Sequence, residues 1–124
     1  MMRITFKTSN AVIEGELNDS QTARKIYDKL PLAAIANTWG EEIYFEIPVR
    51  CGPEDATMDV DVGDIAYWPK GACLCIFFGR TPISTGPKPR PASEVNIVGK
   101  VSAGLSILKN IKSGDKIRVE RGLS

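Results

Sequence analysis

Residues 95–111 read VNIVGKVSAGLSILKNI, and a change of hydrophobic period inside this stretch decides the fold class. Its first part, 95–101, predicts a strand. Leu105, Leu108 and Ile111 then recur at about one helical turn, which predicts a short helix. The end of the chain therefore contains a strand that passes directly into a helix.

A second strand–helix unit lies near the start of the chain. Residues 11–17 alternate between apolar and polar side chains and predict a strand. From Asn18 the apolar spacing changes to that of a helix, which Asn18 or Asp19 can cap. Pro31 ends this helix, because the residue before a proline is pushed away from helical geometry.

Alternation or apolar runs predict further short strands on both sides of these units. They lie at 3–7, 32–38, 43–47, 65–68 and 73–78, with a last strand around Ile117 and Val119. Residues 58–62 show the same alternation. We therefore predict a mainly β chain with a closed, eight-stranded antiparallel β-barrel and two capping helices, because closure removes exposed strand edges. The 124 residues predict a single domain, 1–124.

One long segment, residues 79–93, cannot form regular structure because it contains four prolines and two glycines. Too little chain follows it for it to link two domains. Long irregular loops inside small domains are more often functional than most loops. A functional role for 79–93 is therefore an expectation.

The charge balance excludes several classes of partner. The chain has 16 basic and 15 acidic residues, a formal net charge of +1. A nucleic-acid or anionic-membrane surface needs a basic excess, so we predict neither partner. The start of the chain has no apolar region of the kind found in signal peptides, and no apolar run approaches the roughly 20 residues of a membrane span. We therefore expect a cytoplasmic protein.

The absence of histidine excludes serine and cysteine nucleophiles that depend on an imidazole base. Cys51, Cys73 and Cys75 are odd in number and lack the spacing of zinc sites or of a disulfide framework. We predict no metal site and no cofactor. The cysteines are interpreted as small apolar side chains, with a reactive thiol as the alternative.

Five segments of the sequence resemble known proteins. At the two ends, AVIEGEL at 11–17 and VGKVSAGLSIL at 98–108 resemble the opening and closing parts of cyclophilins. Between them, NTWGEEIYF at 37–45, GDIAYWP at 63–69 and FFGRTP at 77–82 resemble a compact cyclophilin-like family of uncharacterised bacterial and archaeal proteins. This resemblance covers nearly the whole chain and implies an eight-stranded barrel closed by a helix at each end.

True cyclophilins catalyse cis/trans isomerisation of X-Pro bonds, and the resemblance implies that this chain lacks their polar catalytic residues. The catalytic arginine corresponds to Glu46, the glutamine to Ile76 and the histidine to Val95, while the pocket phenylalanine is retained as Phe77. Arg50, four residues beyond Glu46, could reach the groove or could be a solvated strand-end charge.

Aromatic residues on neighbouring segments could line a ligand pocket or simply fill the barrel. An eight-stranded barrel is just wide enough for its own side chains, so a pocket is expected at its mouth or on its outer wall. Arg80 could bind an anionic ligand. Glu41 and Glu42 could form a paired-carboxylate site, but adjacent residues on a strand point to opposite faces, so they are interpreted as surface charge. The candidate ligand-binding residues are Tyr44, Glu46, Arg50, Trp68, Phe77, Arg80, Pro82 and Ser84.

Three functional hypotheses follow. The first is a binding domain for a small molecule or peptide, without classical isomerase chemistry. The second is a weak peptidyl-prolyl cis-trans isomerase that uses the shape of the groove. The third is a homo-oligomer or a component of a complex, with residues 79–93 as the contact surface.

Overall fold

A computed structural model describes residues 2–122. Within these residues the chain forms nine strands, one α-helix and one 3-10 helix. In chain order the elements are β1 Met2–Lys7, β2 Val12–Leu17, α1 Gln21–Asp28, β3 Leu32–Ile35, β4 Asn37–Thr38, β5 Glu42–Glu46, β6 Asp64–Trp68, β7 Cys73–Phe77, β8 Asn96–Ala103, the 3-10 helix Leu105–Asn110 and β9 Lys116–Arg121.

The strands form one antiparallel sheet in the order β3-β9-β1-β2-β8-β6-β7-β5-β4. The sheet curls until β3 contacts β5 near its other edge. The result is a nearly closed barrel, which confirms the predicted mainly β fold.

The strand count differs from the predicted eight because segment 32–38 divides at Ala36. Before this residue β3 pairs with β9, and after it β4 pairs with β5. The N–H of Ala36 donates to the carbonyl oxygen of Asp115 at 2.8 Å. The chain therefore changes its pairing partner at Ala36, and one predicted strand becomes two.

The alternation over 58–62 does not correspond to a strand. The side chain of Val60 is buried against the outside of the barrel. The N–H of Asp61 donates to the carboxylate of Asp64 at 2.8 Å instead of joining a neighbouring strand. An apolar–polar alternation here reflects a loop with one buried side chain.

Helix α1 begins one residue after Ser20, whose side chain accepts a hydrogen bond from the N–H of Ala23 at 3.1 Å. The predicted cap at Asn18 or Asp19 was therefore wrong by one or two residues. The side chain of Asn18 instead accepts the N–H of Ser20 at 3.0 Å and so supports the capping residue. The helix has eight residues. In the described part of the chain no helix has the length and apolar character needed to cross a membrane.

A carboxylate from a distant loop also covers the start of α1. Glu54 accepts hydrogen bonds from the N–H groups of Gln21 and Thr22 at 3.1 and 2.9 Å. Its own N–H donates to the buried side chain of Asn96 on β8 at 2.9 Å. The loop before β6 is thus fastened to both the helix and the barrel.

The wall strand β7 is buried on both of its faces. Leu74 and Ile76 point into the main core inside the barrel. Cys73, Cys75 and Phe77 belong to a second, smaller apolar cluster on the other side of the wall. Val60 and Val95, which precede β6 and β8, belong to the same outer cluster, and Pro91 and Ala92 of the 79–93 loop line a cavity beside it.

Candidate functional site

A cavity of about 280 Å³ lies on the outer wall of the barrel, above β5, β6 and β7; we call it the outer pocket. Three aromatic side chains and one carboxylic acid line it, and no lysine or arginine among residues 2–122 does so. The lining residues are Trp39, Glu42, Tyr44, Trp68, Cys75, Pro91, Ala92 and Val95.

Strand register builds the floor of the outer pocket. Tyr44 on β5 and Ala66 on β6 lie on either side of Cys75 on β7. Because side chains two residues apart on a strand share a face, Glu42 lies on the same face as Tyr44. Trp68 likewise lies on the same face as Ala66. Three adjacent strands therefore place an acid, a phenol, a thiol and an indole around one space.

Trp68 is held from two sides. Its indole N–H donates a hydrogen bond of 2.6 Å to the hydroxyl of Ser93. Its six-membered ring packs over Gly71, where an added Cβ would collide with the ring. The absence of a side chain at Gly71 therefore lets the indole lie in this position.

The first part of the 79–93 loop is hydrogen-bonded to the turn between β4 and β5. The N–H of Glu41 donates to the carbonyl of Arg80 at 2.8 Å, and the carbonyl of Glu41 accepts from Phe78 at 2.9 Å. Thr81 is buried, and its hydroxyl donates to the carbonyl of Arg90 at 2.5 Å. These bonds tie the two arms of the loop together and fix them beside Trp39.

Ion pairs of Lys88 hold the middle of the loop in place. The ammonium group of Lys88 contacts the carboxylate of Asp59 and lies 2.9 Å from that of Asp61. These contacts raise the pKa of Lys88 and lower that of Asp61. These ion pairs attach the loop to residues 59–61, where the side chain of Val60 is buried in the outer cluster.

The acid in the outer pocket, Glu42, is unusual because only 6% of its surface is exposed. Burial raises its pKa from 4.5 to about 7, and a hydrogen bond with the thiol of Cys75 offsets part of this effect. The same thiol also lies 3.9 Å from the carbonyl of Cys73, at the long limit for a sulfur donor. We take Glu42 as the stronger acceptor, since a carboxylate binds a donor more strongly than a neutral carbonyl does.

Burial and the neighbouring Glu42 raise the pKa of Cys75 well above its ordinary value. Burial also raises the pKa of Cys73, and the negative charges of Glu46 and Glu42 raise it further. Both thiols therefore stay protonated at neutral pH. A thiol in this state is a poor nucleophile, so the geometry favours the interpretation of these cysteines as small apolar side chains.

The structure brings together two of the predicted ligand-binding residues, Tyr44 and Trp68, in the outer pocket. Phe77 lies near them but is fully buried within the outer cluster, beneath the surface of the wall. It therefore supports the floor and does not line the cavity.

The other five candidates lie outside the outer pocket. Glu46 and Arg50 are exposed and form an ion pair at 3.7 Å. The guanidinium of Arg80 donates to the carbonyl of Ser84 at 3.2 Å, and the hydroxyl of Ser84 accepts the N–H of Thr81 at 3.0 Å. Pro82 lies exposed between them. Ligand contacts by these five residues stay predictions.

Sequence reasoning missed Glu42 and Trp39. The two acids are in different environments, because Glu42 begins β5 and is buried, whereas Glu41 lies in the preceding turn and is exposed. The interpretation of Glu42 as surface charge was wrong, because its side chain is buried and lines the outer pocket. Trp39 lies directly before Gly40, in a turn, where hydrophobic periodicity gives no information about a side chain. The available signal was the presence of a large aromatic residue in a turn.

Comparisons with known proteins agree with the barrel architecture. The profile of a family described as Cyclophilin-like matches residues 2–120. The chain is also similar to the hypothetical protein AF2241 from Archaeoglobus fulgidus, whose structure was determined in solution. The two are 40% identical with a TM-score of 0.83, over 98% of this chain and 95% of that one. No curated protein matches the chain significantly.

Proposed function

We propose that this chain, which belongs to the cyclophilin-like family, is a binding protein whose ligand occupies the outer pocket. The observation that carries the proposal is the loop 79–93. It is fastened by the hydrogen bonds of Thr81, by the ion pairs of Lys88 and by the bond from Ser93 to Trp68, and it leaves a cavity beneath it. A loop that only covered apolar wall would be expected to pack down onto it.

The size of the outer pocket limits the ligand. Pockets that hold drug-sized molecules run from about 300 to 1,000 Å³, and this cavity of about 280 Å³ lies just below that range. It suits a small molecule or a single side chain of a peptide. Its largely apolar walls with a single carboxylic acid are the composition usual for such sites.

Isomerase chemistry has less support. True cyclophilins place a guanidinium beside the twisting amide, and among residues 2–122 no arginine lines the outer pocket. The arginine position predicted from the resemblance holds Glu46, which pairs with Arg50 on the exposed surface. An X-Pro peptide assay tests this alternative directly, and a rate enhancement near that of true cyclophilins would restore it.

Tryptophan fluorescence offers a direct test of binding. The chain has two tryptophans, Trp39 and Trp68, and both line the outer pocket. A library of small molecules is screened by the change in tryptophan emission, and hits are titrated by calorimetry. We expect saturable binding that is lost in Ala92→Leu, which fills the cavity from the loop side.

Ala103→Leu is the matched control, because Ala103 is also exposed but lies at the far end of β8. Equal binding by Ala92→Leu and the unmodified protein would place the ligand elsewhere. A library without any saturable hit would count against a binding function for the pocket. The cytoplasmic location and the homo-oligomer stay predictions, and light scattering on a sizing column tests the second.

A further inference from the structure

We infer that the ligand of the outer pocket is a small organic cation, whose alkylammonium nitrogen lies beside Glu42 among Trp39, Tyr44 and Trp68. The inference rests on the proposed function and names the class of ligand. It follows from the match between an acid without a basic partner and the aromatic walls around it.

The two buried acidic side chains of the barrel wall differ in their partners. Asp64 is 4% exposed and lies 2.8 Å from the ammonium group of Lys100. Glu42 is 6% exposed, yet within residues 2–122 no lysine or arginine forms a salt bridge with it. Buried carboxylates are ordinarily paired. A bound cation would give Glu42 the partner that Lys100 gives Asp64.

The walls of the outer pocket favour the same class of ligand. Both tryptophans of the chain line the pocket, together with Tyr44. Indole and phenol rings attract cations through their electron-rich faces, most strongly where water is excluded. An anion would meet the like charge of Glu42 and these rings, and therefore fits poorly.

The groups around Glu42 set the pH dependence of such binding. Tyr44 faces it from its own strand and Cys73 and Cys75 from β7. Pro91 and Ala92 of the loop and Val95, which precedes β8, carry no charge. Neither thiol ionises near neutral pH, because their pKa values are raised. Glu42, with a pKa of about 7, is therefore the group of the outer pocket that changes its charge around neutral pH.

The sign of the effect follows from proton linkage. A cation prefers ionised Glu42, so binding below pH 7 must first release the proton from its carboxyl group. For an alkylamine that stays charged throughout, we expect binding at pH 5.5 to be about 30-fold weaker than at pH 8.5.

The experiment compares probes of similar shape and different charge. Binding of n-butylammonium, 1-pentanol and butyrate is titrated by tryptophan fluorescence and calorimetry at pH 5.5 and pH 8.5. We expect n-butylammonium to bind at least about tenfold more tightly than 1-pentanol at the higher pH, a difference of about 1.4 kcal/mol. Butyrate should bind least.

Two variants assign the preference to one residue. Glu42→Gln should lose both the preference for the cation and its pH dependence while keeping affinity for 1-pentanol. Glu41→Gln, which removes the same charge from the next residue, should keep both, because Glu41 is exposed and lies outside the outer pocket. Circular dichroism confirms that each variant is folded.

Equal binding of 1-pentanol and n-butylammonium, or an unchanged preference in Glu42→Gln, would overturn the inference and leave the proposed function standing. If none of the three probes binds, the cation inference fails, and the library screen decides whether the outer pocket has another ligand. A capped pentapeptide with one central lysine separates two sources of the same chemistry. If the peptide binds more tightly than n-butylammonium, the natural ligand is a lysine side chain of a protein. If it binds more weakly, the natural ligand is a free amine.

Discussion

The indole N–H of Trp68, at the end of β6, donates a hydrogen bond of 2.6 Å to the hydroxyl of Ser93, at the end of the 79–93 loop. The two residues are 25 positions apart in the chain. This bond joins the barrel wall to its cover and fixes one side of the outer pocket. Trp68 and Ser93 are both half-buried, so water cannot easily replace either partner of this hydrogen bond.

Replacement of Ser93 by alanine should loosen the end of the loop. The indole N–H of Trp68 would lose its acceptor in a half-buried place, at a cost of about 1 kcal/mol in the free energy of unfolding. Urea unfolding measures this loss, and tryptophan emission should shift to the red. Ser102→Ala, at an exposed site on β8, is the control and should leave both unchanged. An unaltered emission spectrum in Ser93→Ala would show that the bond does not hold the indole.

Replacement of Lys88 by methionine should free the middle of the loop without unfolding the barrel. Asp59 and Asp61 would then repel each other with no cation between them. Because all three side chains are exposed, we expect little change in the unfolding midpoint. Cleavage within 79–93 by a nonspecific protease should become faster. The control is Lys70→Met, which replaces an exposed lysine in the β6–β7 turn and should be cleaved at the original rate. Equal cleavage rates in the two variants would show that the ion pairs of Lys88 do not restrain the loop.

Glu42 should make the protein less stable as pH rises. Its folded pKa of about 7 lies above its ordinary 4.5, so the folded state holds more protons between these values and the free energy of unfolding falls with increasing pH. The full shift corresponds to about 3 kcal/mol. Urea unfolding from pH 4.5 to pH 8 should show this decline in the unmodified protein and in Glu41→Gln. In Glu42→Gln it should be absent; a parallel decline there would assign it to another group.

Glu54 should act in the opposite direction and at lower pH. The hydroxyl and N–H of Thr22 and the N–H of Gln21 hold its pKa below 4.5. Its contribution to stability is therefore complete above pH 4.5 and lost as pH falls through the depressed value. Acid unfolding followed by circular dichroism should be less steep in Glu54→Gln than in Glu14→Gln, an exposed acid on β2. Identical acid profiles would contradict the role of Glu54 at the start of α1.

The sequence predicts the barrel well because strand and helix periods are local properties. The strands at 11–17 and 95–101 lie close to the observed β2 and β8, and both capping helices are present. The second forms as a 3-10 helix of six residues, since so short a run gains little from α-helical bonding. The division at Ala36 was missed because it depends on a bond to Asp115, far along the chain.

The site is less predictable, because it depends on which side of the wall a loop covers. Alternation shows that Glu42 and Tyr44 share a face, but it does not show that this face is buried. The prolines of 79–93 predicted irregular structure correctly. Their sequence does not reveal that Pro89 and Pro91 are buried, or that Pro91 lines the outer pocket.

The outer cluster on β7 also bears on how the chain could be rearranged by protein engineering. Irregular surface loops ordinarily tolerate inserted domains and new chain termini. Here the most irregular segment places Pro91 and Ala92 across the outer pocket from Cys75, so opening it would expose the apolar floor of the pocket and invite aggregation. In the short connection between β1 and β2, Ser9 and Asn10 are exposed, and the buried Ala11 follows them. Insertions and circular permutations should therefore be accepted between Ser9 and Asn10 more readily than in the long loop.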